Sequence, residues 1–229
     1  LQRFRESVGK VMAHARENIG DALNRPSLLI ALHFHEIKPD ALIKLGVGYL
    51  PIKANLTQIT GEPFARLRSW GILDGTETKP VSHYGGHLTL PLRNADGAIY
   101  GGILIRPTSG EHANAQPQAL VAPNSRRSDA EVNVSFGAYE SKDLPKALMT
   151  ISPNPFVALS EISHGRRASY CHGNLRASEL KSDVMRHEAV HIDIGGIEKD
   201  GARLNAWLSA ILALPAADLL KISLHRYTG

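Results

Sequence analysis

Apolar residues recur along the chain in two rhythms, and the changes between them mark the elements. Phe4, Val8, Val11, Met12, Ala15, Ile19 and Leu23 stand three and four apart, which predicts a helix over 1–24. Asn24-Arg25-Pro26 ends it. Ser27–His35 is apolar enough for a second short helix. Pro39 suits a first helical turn and predicts a short helix through Leu45, stopped by Gly46. Val47–Pro51 reads as extended, and Glu62–Trp70 as a helix stopped by Gly71. His87–Leu92 and Ala98–Ile105 read as two strands of a hairpin about Asn94-Ala95-Asp96-Gly97, where glycine can take positive φ. Residues 106–127 are rich in Pro, Ser, Asn, Gln and Gly and read as a loop.

Beyond that loop the rhythm alternates. Helices are expected at 143–149, 156–162, 177–185 and 203–214, and strands at 167–172, 189–194 and 222–225. Asn154-Pro155 caps the second of these helices. Strands alternating with helices imply an α/β sheet, parallel over 130–229. The expected class is therefore α/β in two parts. A first subdomain over 1–110 carries helices and the hairpin 87–105. A loop or linker covers 111–130, and a second α/β subdomain covers 131–229. There is no internal repeat.

Composition narrows the class without changing it. The 229 residues are 43% hydrophobic and 21% charged, ordinary for a globular chain. That excludes collagen-like, low-complexity and wholly disordered chains. The longest apolar tract, around Trp207–Ala217, is interrupted by Ser209 and Pro215 and falls short of a membrane span. The polar start Leu-Gln-Arg-Phe-Arg-Glu lacks the apolar core of a signal peptide. A chain starting at Leu1 reads as cut from something longer, and the expected location is cytoplasmic. A single cysteine, Cys171, excludes an internal disulfide and a multi-cysteine zinc site. The net charge of +4 permits a polyanionic partner without requiring one.

Three groups of residues could carry chemistry. His187-Glu188-Ala189-Val190-His191 has the spacing of a helical zinc-peptidase motif. It runs into an alternating β-branched stretch, however. In a strand, positions 187 and 191 lie about 13 Å apart and cannot share one zinc ion. Gly195-Gly196-Ile197-Glu198-Lys199-Asp200-Gly201 lies where a strand hands over to a helix, the edge that ligands favour in open α/β sheets. Asp193, Glu198 and Asp200 there could hold Mg²⁺, or form an ordinary polar turn. The pairs Arg126-Arg127 and Arg166-Arg167, with Arg66, Arg68, Arg93 and Arg106, could track a phosphate backbone. Tyr84, Tyr100, Tyr139 and Tyr170 could stack bases beside them. Taken singly, each reads equally as a solvated arginine or half-buried tyrosine.

The order of several segments is more specific. Glu36–Pro51 reads as a short helix followed by a G-x-G-Y-x-P turn. His87-Leu-Thr-Leu-Pro-Leu-Arg-Asn-Ala-Asp-Gly-Ala-Ile-Tyr-Gly-Gly102 is a hairpin with an arginine before its turn and a double glycine after it. Phe136-Gly-Ala-Tyr-Glu-Ser-Lys-Asp143 precedes the α/β alternation. Together, over roughly 30–214, these resemble the RNA-polymerase core of bacterial and phage-type DNA primases, a family with a Toprim fold. The resemblance implies Mg²⁺-dependent primer synthesis and binding of single-stranded DNA or RNA. It also implies partners such as a replicative helicase or other subunits of a nucleoprotein complex. Arg93 sits at the family's hairpin arginine, and Arg106 lies near its arginine after the double glycine.

The departures from that family are equally specific. Where its first Toprim strand ends in a catalytic Glu, this chain has Ile151-Ser152-Pro153-Asn154-Pro155. For the following D-x-D, either Asp193 is the first Asp, or Glu198 and Asp200 form a shifted pair. The later acidic motif is not visible in 214–229, and one cysteine cannot make the family's zinc module. The expected function is a primase-like Toprim protein of a replication or mobile-element system with degenerate catalytic acids. It would bind single-stranded nucleic acid through Arg93, Arg106, Arg126, Arg127, Arg166 and Arg167. Three alternatives stand beside it. One is an active Mg²⁺-dependent primase with a rearranged site, Asp193, Glu198 and Asp200 being catalytic and Asp193 and Asp200 holding metal. Another is a structural subunit of a nucleoprotein complex. The last is the zinc peptidase on His187 and His191.

Overall fold

Helix α1 (Gln2–Glu17) buries the stripe Phe4, Val8, Val11, Met12 and Ala15 that its spacing predicts. The computed structural model describes residues 2–82, 84–93, 99–107, 118–120, 133–134, 148–171 and 173–227. The expected helix over 1–24 breaks at Asn18, and α2 (Ile19–Ala22) follows. There the Asn18 amide donates to the His14 carbonyl at 2.7 Å, a local bond that competes with helix continuation. Next come α3 (Pro26–Phe34), α4 (Pro39–Lys44), β1 (Gly48–Leu50), α5 (Leu56–Thr60), α6 (Phe64–Ser69) and a ribbon of β2 (Asp74–Thr76) with β3 (Lys79–Val81). The sequence reading missed α5, which Asn55 starts by accepting the Gln58 N–H.

The hairpin forms as expected in β4 (His87–Arg93) and β5 (Ile99–Ile105), antiparallel with a register shift between Leu92 and Arg93. Its turn, 94–97, lies outside the described residues. The loop expected over 106–127 is not wholly irregular, because Gln118–Leu120 forms β6 against β5. The sheet order is β1-β4-β5-β6.

The chain divides into two compact units, 1–32 with 42–127, and 33–41 with 128–229. In the second, the sheet order is β11-β10-β8-β9-β7. Its strands are β7 (Asn133–Val134), β8 (Leu148–Ser152), β9 (Arg167–Cys171), β10 (Ala189–Asp193) and β11 (Ile222–His225). The four longer strands are parallel, as the alternation implies, and β7 pairs antiparallel with β9. Leu148 and Met149, expected to end a helix, instead open β8, where Met149 and Ile151 pack into the core. The rest of that expected helix, 143–147, lies outside the described residues.

Helices α7 (Pro155–Ser163), α8 (Ala177–Arg186), α9 (Gly201–Leu212) and α10 (Ala216–Leu219) complete the unit. Met149, Ile151, Val190 and Ile192 share a core with Leu180 and Val184 of α8 and with Trp207 and Ile211 of α9. Helix α7 packs on β8 and β9. Residues 33–41 join this unit through His35, whose ring stacks on Phe156 at 4.0 Å, and through buried Ile37. No described helix is long and apolar enough to cross a membrane.

In the first unit α1 packs its apolar stripe into the core and comes close to the sheet at two glycines. A Cβ at Gly48 would fall 2.6 Å from the Ala15 carbonyl carbon and from the Arg16 nitrogen, and one at Gly102 would fall 2.0 Å from Met12 Cε. The obstacle at Gly48 is backbone, whereas at Gly102 it is the end of a flexible side chain. Gly48→Ala is therefore expected to cost stability at or above the overpacking range of about 1–3 kcal/mol. Gly102→Ala should cost less, as Met12 turns aside. Urea unfolding of both variants checks the order.

Candidate functional site

Parallel pairing brings the carboxyl ends of β8, β10 and β11 side by side. Ile151 pairs with Ile192, and Asp193 with His225. Ser152 and Asp193 therefore end adjacent strands. Ser152 Oγ donates to Asp193 Oδ2 at 2.6 Å and accepts from the Asn154 N–H at 3.0 Å. The N–H groups of Gly195 and Tyr227 donate to Asp193 Oδ1 at 2.8 and 3.3 Å. Asp193 is buried to 1% exposure. Burial pushes its carboxyl above the usual aspartate value, against the pull of those donors. Gly195 is required here: a Cβ would fall 2.9 Å from Asp193 Oδ1 and 3.0 Å from the Tyr227 carbonyl oxygen.

The other two candidate acids are engaged elsewhere. Glu198 accepts from Arg226 Nη2 at 2.7 Å. Asp200 caps α9 by accepting the Arg203 N–H at 3.1 Å. Among the described residues, no group of three or more His, Cys, Asp or Glu side chains is placed to hold a metal ion.

The candidate arginines differ sharply in environment. Arg106 is exposed, just beyond β5. Arg166 Nε and Nη2 donate to Glu161 Oε2 and Oε1 at 2.6 and 2.7 Å, a two-pronged pair with a carboxylate that is itself buried. Thr150 Oγ1 donates to the same Glu161 Oε2 at 3.4 Å. Arg167 is buried in β9. Arg126 and Arg127, and the side chain of Arg93, lie outside the described residues, as does the segment 136–143. Of the tyrosines, Tyr170 is buried and Tyr84 donates to the Gly71 carbonyl; Tyr139 and the side chain of Tyr100 lie outside the described residues.

The zinc-peptidase spacing is split between elements. His187 follows the last turn of α8, with Nδ1 2.8 Å from the Asp183 carbonyl, while His191 lies in β10. His191 packs against His225, ring centroids 4.1 Å apart. Cys171 is buried, which pushes its thiol up to about 12, and it lies 3.4 Å from the Gly173 carbonyl; that is a packed, unreactive thiol.

Sequence reading missed the roles of Ser152, Glu161 and His225. For Ser152 the signal was present, since it ends a strand where an acid was expected. Glu161 and His225 gave none, because their partners are set by helix-to-strand and strand-to-strand packing.

If Asp193 holds three strand ends together, Asp193→Ala should destabilise by the several-kcal/mol scale of a broken buried polar network, with Ser152 and two N–H groups left unpaired. Asp193→Asn keeps an acceptor for the N–H groups and should lose less. The raised folded pKa means that this carboxyl favours folding most below its unfolded value of about 3.9, and less as pH rises through the folded value. Across that window the Asn variant should gain on the native chain. Thermal melts over an acid-to-neutral pH series measure both effects.

No protein-family model matches the chain, and no curated protein matches it. Solved structures do. The zinc-binding and RNA-polymerase domains of the Aquifex aeolicus primase superpose with a TM-score of 0.65 at 18% identity, over 98% of this chain and 55% of that one. A DnaG primase catalytic domain bound to ssDNA gives 0.62 at 14% identity, over 92% and 65%. The RNA polymerase domain of Mycobacterium tuberculosis primase DnaG, in complex with double-stranded DNA, gives 0.63 at 16%, over 99% and 73%. The chain thus spans 55% to 65% of the first two of these. It has the mixed α/β fold of bacterial-type primase catalytic cores.

Proposed function

We propose that the chain is a primase-like module that binds single-stranded nucleic acid in a replication or mobile-element system, and that its Toprim-type acid site serves as a hydrogen-bonded structural centre. The observation that carries this reading is the Ser152–Asp193 bond. A hydroxyl stands at the strand end where the resemblance expects a catalytic Glu, and the neighbouring carboxylate is occupied by donors from the protein itself. Mg²⁺ asks for carboxylate oxygens free to join a near-octahedral shell. Asp193, with its oxygens so engaged, and Glu198 and Asp200, each bonded elsewhere, do not fit the ion.

Nucleic-acid binding is supported by the neighbours that share the fold, one bound to ssDNA and another to double-stranded DNA with a 6-nucleotide overhang. Exposed Arg106 is the first proposed phosphate contact, with Arg93, Arg126 and Arg127. Arg166 and Arg167 contribute less, one being paired with Glu161 and the other buried.

Fluorescence anisotropy with a labelled ssDNA oligonucleotide, over a salt series with and without Mg²⁺, tests the reading. Binding is expected to weaken steeply with salt and to ignore Mg²⁺. Arg106→Ala should weaken it and reduce the salt slope by about 1. Absent binding at low salt would overturn the nucleic-acid reading. Mg²⁺-strengthened binding with primer synthesis would restore the catalytic one.

A further inference from the structure

The half of the second sheet formed by β10 and β11 presents two histidines that the reading above does not use. Because β10 and β11 are parallel and His191 pairs with Ser223, His191 and His225 stand on the same face as diagonal neighbours. Diagonal positions are about 7–8 Å apart at the backbone, within reach of ring side chains. The rings do meet, with centroids 4.1 Å apart and planes tilted by 35°. Helix α7 packs on β8 and β9, and over β10 and β11 His191 remains half-buried and His225 exposed.

We propose that His191 and His225 form a two-histidine site for a borderline divalent transition ion, Zn²⁺, Cu²⁺ or Ni²⁺, on the face they share across β10 and β11. Imidazole suits these ions, whereas Mg²⁺ and Ca²⁺ select oxygen ligands. A metal–nitrogen bond of about 2.0–2.1 Å requires the two rings to converge on one point, and with the rings already in contact His191 need only turn about its soft outer torsion. Ser223 supplies the outer support that histidine ligands use: its Oγ lies 3.0 Å from His225 Nε2, fixing that ring and leaving Nδ1 for the ion. Asp193 does not join, since it is buried and its oxygens hold Ser152, Gly195 and Tyr227. Water fills the remaining positions. This site shares His191 with the motif spacing His187–His191 but not His187, which lies beyond the end of α8 against Asp183.

The test is titration of the full, untagged chain with Cu²⁺ and with Zn²⁺, followed by calorimetry and, for Cu²⁺, by electron paramagnetic resonance. One equivalent with coupling to two nitrogens is expected. His191→Ala and His225→Ala should each abolish the saturable binding. Ser223→Ala should weaken it about tenfold. His164→Ala, an exposed histidine outside the pair, should leave it unchanged, and excess Mg²⁺ should not compete. Circular dichroism establishes that each variant is folded; the exposed His225 variant serves if His191→Ala is not. Equal binding by the His225→Ala and native chains, loss on His164→Ala, or displacement by Mg²⁺ would each overturn the site. ssDNA binding is measured separately, so failure of one proposal leaves the other standing.

Discussion

A buried carboxylate must be answered by donors, and Asp193 collects its donors from the ends of three strands. Ser152 closes β8, Gly195 follows β10 and Tyr227 follows β11. In hydrophobic surroundings an unanswered carboxylate costs several kcal/mol. That constraint fixes how far each strand runs and where the chain turns away from the sheet. It also explains why Gly195 carries no side chain: the carboxylate and the returning chain at Tyr227 occupy the space. A cluster of acids at this edge would need a cation to offset their repulsion. A single acid with a serine beside it needs none.

The same economy of charge runs through the neighbouring face. Glu161 is buried and Arg166 clasps it with two nitrogens. Removing Arg166 would strand the buried Glu161 charge in a poor solvent, so the pair persists for structural reasons even though its net contribution is small. A guanidinium held in this way differs from one waiting for phosphate. The number of arginines in the composition therefore overstates the guanidinium groups available to a polyanion.

The parts of the fold legible from sequence were those set by local rules. The stripe of α1, the proline-led start of α7, the alternation in β10 and the paired strands of the hairpin all depend on neighbours within a few residues. The misreadings share a different cause. Leu148 and Met149 look helical in isolation and become strand because β9 and β10 flank them on either side. Gln118–Leu120 lies in a composition typical of loops and becomes strand because β5 has a free edge. The candidate acids were found, but not what each one does, since Asp193, Glu198 and Asp200 look alike in sequence. Their roles are assigned by Ser152, Arg226 and the first turn of α9.

The two glycines beneath α1 have a consequence for how that helix can drift. A helix resting on side chains can slide, because methyl groups rearrange under it. α1 instead meets backbone at Gly48, with Met12 seated over Gly102. A shift of one residue would move it about 1.5 Å and turn it by about 100°, carrying Met12 off its notch. The backbone contact at Gly48 thus acts as a vernier, setting the phase of the helix against the sheet more finely than hydrophobic burial alone can.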